Sequence, residues 1–158
     1  LHGGQRENTE YCVLCHNLTE TDKSRRPADK LPVESIQFKT MIHKIHTGEE
    51  NKRDFTIYGF GNVAVNFNEV RFPGDRRDCV KCHVDGTQQL PLPETNLPST
   101  SPRDWLTTMP PETAACLSCH TTRAAAVHAS LNASPLGEAC AVCHGPNAEF
   151  SVNKVHAR

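Results

Sequence analysis

Four copies of one five-residue pattern constrain this chain more than anything else in it. They are Cys12-Val13-Leu14-Cys15-His16, Cys79-Val80-Lys81-Cys82-His83, Cys116-Leu117-Ser118-Cys119-His120 and Cys140-Ala141-Val142-Cys143-His144. Together they use all eight cysteines. Two thiols three residues apart fall on one side of a helical turn. There they can add across the two vinyl groups of one haem, and the following histidine can reach the iron as its proximal ligand. A zinc ribbon would use paired cysteines with no reason for a histidine after each pair. A thioredoxin-like redox pair would occur once, and a disulfide framework would not repeat one spacing four times. The pattern therefore predicts four covalently bound haem c groups. Cys12, Cys15, Cys79, Cys82, Cys116, Cys119, Cys140 and Cys143 attach them, and His16, His83, His120 and His144 ligate iron.

Nine histidines are present, so five remain: His2, His43, His46, His128 and His156. An iron with one histidine below it needs a sixth ligand or stands open. Five spare histidines for four irons predict bis-histidine ligation throughout. His43 and His46 lie in Phe38-Lys-Thr-Met-Ile-His-Lys-Ile-His-Thr-Gly48, where Phe38, Met41, Ile42 and Ile45 recur at helical spacing and Gly48 is a stop. Three residues apart, the two histidines share a helix face and serve different haems. His128 belongs to an alanine-rich helix over residues 121–131. His156 anchors the C-terminal segment. Met41 and Met109 are alternative ligands, but Met41 fits the apolar stripe and Met109 precedes two prolines. One histidine is surplus. It ligates nothing, or it serves a haem in a neighbouring molecule, or it serves a fifth haem whose motif lies upstream.

Hydrophobic residues make up 37% of the 158, with Leu, Ile, Val and Phe sparse. Side chains alone would build a thin core. We expect mostly coil with short α-helices and minimal β structure, packed around four haems as one tetrahaem domain over residues 1–158. Residues 55–72 carry a weak alternation of Val63, Val65 and Phe67 that predicts a strand or hairpin. Residues 86–113, rich in Pro, Thr and Ser, predict a loop over the haem surface. No apolar stretch is long enough for a membrane span. The first residues have no charged segment followed by an apolar one, as a signal peptide would. No basic run points to nucleic acid.

These residues resemble the outer-membrane decahaem cytochromes of metal-reducing bacteria, the OmcA/MtrC family. The resemblance is carried by Leu1-His-Gly-Gly-Gln-Arg6, Tyr11-Cys-Val-Leu-Cys-His-Asn17, Met41-Ile-His-Lys-Ile-His-Thr-Gly48, Tyr58-Gly-Phe-Gly61, Glu69-Val-Arg-Phe-Pro-Gly74, Asp78-Cys-Val-Lys-Cys-His83, Glu138-Ala-Cys-Ala-Val-Cys-His-Gly145 and Val155-His156. Nearly the whole chain is covered, and it looks like one of that family's pentahaem domains. The resemblance implies that His2, His43, His46, His128 and His156 all match distal-ligand positions. The family pattern has a further Cys-x-x-Cys-His just upstream of His-Gly-Gly, and these residues do not include it. The family's immunoglobulin-like β-barrel domains have no counterpart here either.

The expected function is electron transfer outside the cytoplasm, at the outer-membrane surface or in the extracellular space, with the periplasm as an alternative. Expected partners are other cytochromes or copies of this chain, and extracellular metal oxides, flavins or soluble acceptors. Axial ligation is a main lever on potential over a span of about 0.8 V, and bis-histidine haems lie toward its low end. The polypeptide's formal charge is −1. Eight propionates and four ferric cores bring it to roughly −5, and reduction to about −9, which favours basic partners or metal cations. The rival readings are a subunit of a conductive filament and a haem reductase, the latter needing an iron with an open position.

Overall fold

The structure, a computed structural model, describes residues 2–157. Leu1 of the Leu1–Arg6 segment and the last residue of the expected 1–158 domain lie outside them. Among the described residues six short α-helices and three two-stranded hairpins are linked by coil and single 3-10 turns. Helix α1 (Thr9–Cys15) starts at Asn8, whose side chain accepts a hydrogen bond from the Glu10 N–H. It ends at the first motif histidine, and the His16 carbonyl accepts from Phe38 N–H at 3.0 Å. That bond ties the first motif to the start of α2 (Phe38–Thr47).

Helix α2 begins at Gln37, whose side chain accepts from Thr40 N–H, and stops at Gly48 as the sequence predicts. Gly48 is required twice over. Its φ of +51° with ψ of −124° is a conformation that L side chains avoid. A Cβ there would also lie 1.9 Å from the Val70 carbonyl oxygen. The segment after α2 returns through the predicted hairpin, β1 (Thr56–Tyr58) paired with β2 (Ala64–Asn66), with Ile57 opposite Val65. Buried Asp22 ties this hairpin to the N-terminal half. Its carboxylate takes both Arg26 hydrogen bonds and those from the Glu34 and Tyr58 N–H groups.

Residues 86–113 are more than the expected loop. Strands β3 (Ser99–Thr100) and β4 (Thr108–Met109) pair within them, and α3 (Pro111–Leu117) begins there. The proline pair opens this helix, because proline at the first helical position gives up an N–H that has no partner anyway. The alanine-rich helix α4 runs Arg123–Leu131 under a Thr122 cap. A small hairpin of β5 (Ala133–Ser134) and β6 (Gly137–Glu138) leads into α5 (Cys140–His144), and α6 (Val152–His156) follows. None of the described helices is long and apolar enough to cross a membrane.

The apolar core is as thin as the composition predicts. Met109, Ala114, Leu117, Ala126 and Ala129 form one cluster where α3 meets α4. Met109 is fully buried in it, so its thioether packs against alanines and leucine. Among the described residues seven apolar side chains are buried against fourteen polar ones. Much of the polar interior is one ion network. Lys44 Nζ lies 2.6 Å from Asp104 and 3.4 Å from Glu34, while Arg103 reaches Glu34 and Arg53 reaches Asp104. A polypeptide with so little apolar interior must find its hydrophobic surface elsewhere.

Candidate haem-binding sites

The four motifs sit on short helical turns, as two thiols acting together require. The first closes α1, the second forms the turn Cys79–Lys81, the third ends α3, and the fourth is α5 itself. No disulfide joins any of the eight cysteines. Each motif histidine faces one of the five spare histidines. Ring centres are 6.0 Å apart for His2 and His16, 6.0 Å for His43 and His83, 6.1 Å for His120 and His156, and 6.1 Å for His128 and His144. Metal–imidazole bonds of about 2.0–2.1 Å on each side, with each ring centre roughly 1.1 Å behind its nitrogen, place two rings roughly 6 Å apart across one metal. The spacing in all four pairs fits a haem iron between them.

Further observations test the fit. Four imidazoles are steered through Nδ1, which leaves Nε2 for a metal. His16 Nδ1–H donates to the Ile36 carbonyl at 2.7 Å, His144 Nδ1–H to Phe150 at 2.9 Å, and His156 Nδ1–H to Val152 at 2.9 Å. His83 Nδ1 instead meets the Thr87 hydroxyl at 3.2 Å. His43 is neutral at ordinary pH. Burial, then the facing His83 ring and the charges of His46 and Lys39, push its pKa down to about 4. Apolar side chains beside the motifs stand in solvent, among them Leu14 (73% exposed), Val80 (67%) and Val142 (78%). Exposed apolar surface beside the thiols is what a porphyrin plate would cover. Among the described residues no three of His, Cys, Asp and Glu converge on a common metal position, as a zinc ribbon would require.

The motifs are also close to one another. The Thr47 hydroxyl of α2 lies 3.3 Å from Cys119 Sγ. The Cys79 thiol is raised mainly by burial, with Cys119 adding to the effect. Burial, then Glu112 and Glu138, push Cys116 up to about 11. Cys140 rises to about 12 through burial and a hydrogen bond with Glu112, with Cys116 contributing. Motifs two, three and four thus form a contiguous series. His46 has a different environment from the other four spare histidines, because its ring lies 5.1 Å from that of Phe72. Sequence reasoning named every histidine in these pairs but left the partners open. It missed the Nδ1 acceptors, three of which are backbone carbonyls with no side-chain signature. Thr87, four residues after His83, is the one side-chain acceptor among them.

Four haem-attachment motifs, each faced by a second histidine across an iron's width in a chain with little core of its own, define a multihaem c-type cytochrome. The family described as outer membrane cytochrome MtrC/MtrF-like, domains II/IV, matches residues 1–157. The chain belongs to that family. It also resembles the crystal structure of the outer membrane decaheme cytochrome OmcA, at 27% identity and a TM-score of 0.55 over 99% of this chain. It spans 21% of the length of that protein. No curated protein matches it.

Proposed function

We propose that this chain is a tetrahaem electron-transfer unit, one domain over residues 1–158, acting at the outer-membrane surface or beyond it. Cys12 and Cys15 attach the first haem between His16 and His2. Cys79 and Cys82 attach the second between His83 and His43. Cys116 and Cys119 attach the third between His120 and His156, and Cys140 and Cys143 the fourth between His144 and His128. One observation carries the reading: each motif histidine faces a second one about 6 Å away, ring centre to ring centre. A bound bis-histidine haem supplies a one-electron ferric–ferrous couple with no open coordination position. The chain's own residues fix the imidazoles through Nδ1, hold the thiols on helical turns and keep neighbouring motifs packed together. Membership of an outer-membrane cytochrome family supports the location and the expected partners, which are other cytochromes, copies of this chain, metal oxides, flavins or soluble acceptors. Saturated axial positions argue against a reductase.

His46 supports a second reading, in which the unit is part of a longer wire. It shares α2 with His43, and its ring packs on Phe72. In this reading His46 ligates a haem attached outside these residues, upstream in a longer chain or on a neighbouring copy in a filament.

Pyridine haemochrome assay, EPR of the oxidised protein and carbon monoxide added to the reduced protein test the proposal. The expected result is four haems per chain, all low-spin, none binding the gas. One high-spin haem that takes up carbon monoxide would refute four-fold bis-histidine ligation and point to a catalytic iron or a ligand supplied by a neighbour.

A further inference from the structure

We propose that Thr87 makes the haem between His83 and His43 the highest-potential site of the four, the place where the first electron rests. The inference depends on the ligation proposed above and adds an order among the sites. An imidazole whose Nδ1–H donates to a strong acceptor becomes a more basic ligand, which stabilises ferric iron and lowers the potential. The first, third and fourth pairs each contain one ring anchored in this way on a backbone carbonyl, through His16, His156 and His144 at 2.7–2.9 Å. The second pair has no such anchor among the described residues. His83 meets the weaker hydroxyl acceptor of Thr87 at 3.2 Å, the longest of the four contacts.

Its partner is weaker still as a donor of electron density. His43 Nδ1 is buried without a hydrogen-bond partner of normal geometry among the described residues. The Lys39 carbonyl, one turn earlier on α2, interacts with that nitrogen without closing a hydrogen bond of normal geometry. The equivalent turn in α6 closes properly, His156 to Val152 at 2.9 Å.

Two other levers act in the same direction. The second pair is the one in which neither ring is exposed, whereas His2, His120 and His128 are exposed in the others. Ferric bis-histidine iron carries one more positive charge than ferrous, so burial favours the reduced form. The Lys39 ammonium places positive charge near His43, which again disfavours the ferric state. A cation also stands near His120 of the third pair, in Arg76, so what sets the second pair apart is its weak acceptors and its lower exposure.

Stepwise spectropotentiometry of the fully haem-loaded chain tests this. Each step adds one electron, supplied by dithionite, to a ferric iron. No ligand bond breaks and Nδ1 keeps its proton. Thr87→Asp replaces the hydroxyl by a stronger acceptor. The expected result is that the highest of the four midpoints falls, by about a tenfold change in the ferric-to-ferrous ratio, or about 59 mV for one electron. The other three should move much less. Thr87→Asn offers a neutral carbonyl and should move the same step in the same direction, which separates hydrogen bonding from added charge. Thr87→Ser keeps the hydroxyl and should move none. A shift on a lower step, an equal shift of all four, or no shift with four low-spin haems retained overturns the inference. Fewer than four low-spin haems in the parent protein would instead overturn the ligation beneath it.

Discussion

Gly48→Ala should be far more damaging than its single methyl group suggests. The residue ends α2, the helix carrying both His43 and His46. Its backbone lies where non-glycine residues are strained, at a cost on the order of 1–3 kcal/mol. The new methyl would meet the Val70 carbonyl oxygen at 1.9 Å, less than two-thirds of an ordinary contact, so Val70 must retreat. Retreat breaks the 2.9 Å bond from Glu49 N–H to that same oxygen, worth about 0.5–1.5 kcal/mol. The combined loss is about 1.5–4.5 kcal/mol. Guanidinium unfolding of the haem-loaded chain, followed by Soret absorbance and far-UV dichroism, measures it. Gly59→Ala is the matched control, because a Cβ there finds nothing closer than 3.9 Å and φ is −97°. It should stay within about 0.5 kcal/mol of the parent. A loss below about 1 kcal/mol for Gly48→Ala would refute the argument that this helix stop depends on close backbone approach.

Other outcomes follow from the same geometry. His128→Ala should leave four attached haems but convert one to a high-spin form that binds carbon monoxide, measured by EPR and gas titration. His46→Ala should leave the spin state of all four haems in the isolated chain unchanged by the same measurements. Burial, against the opposing charge of Lys44, raises the Glu34 carboxyl from 4.5 to about 7. The folded state therefore prefers neutral Glu34. The resulting stability is fully present below pH 4.5 and is lost as pH rises to about 7, by roughly 3 kcal/mol. Glu34→Gln should flatten that part of the stability–pH curve, and an unchanged slope would count against it. Asp22→Ala removes the acceptor for Arg26 and for two backbone N–H groups, leaves a buried guanidinium without its carboxylate, and should cost about 3–5 kcal/mol in denaturant unfolding.

The sites were more legible in the sequence than the fold was. Covalent attachment needs thiols and a histidine at fixed local spacing, so Cys79-x-x-Cys82-His83 announces itself without any tertiary contact. Helix α2 and its stop at Gly48 were legible because periodicity and a backbone-permissive residue are local signals. The partner of each motif histidine was not, since His120 meets His156 through a contact between segments far apart in the chain. The 86–113 segment misled because Pro110 and Pro111 read as loop residues but open α3. The Lys44–Glu34–Asp104 network was invisible for another reason. Charged residues normally mark surface, and only the fold reveals that Lys44 and Glu34 are buried with Asp104 at their edge.

The histidine pairs also set an order of assembly. The loop from His128 to His144 lies wholly inside the one from His120 to His156. Under the proposed ligation the inner clasp shortens the chain that the outer one must close, so loop entropy favours fastening from the inside outward. The final helix then secures the third haem and not the fourth. Cutting the chain after Phe150 should unfasten a haem attached more than thirty residues earlier, while the one nearest the cut keeps both of its histidines.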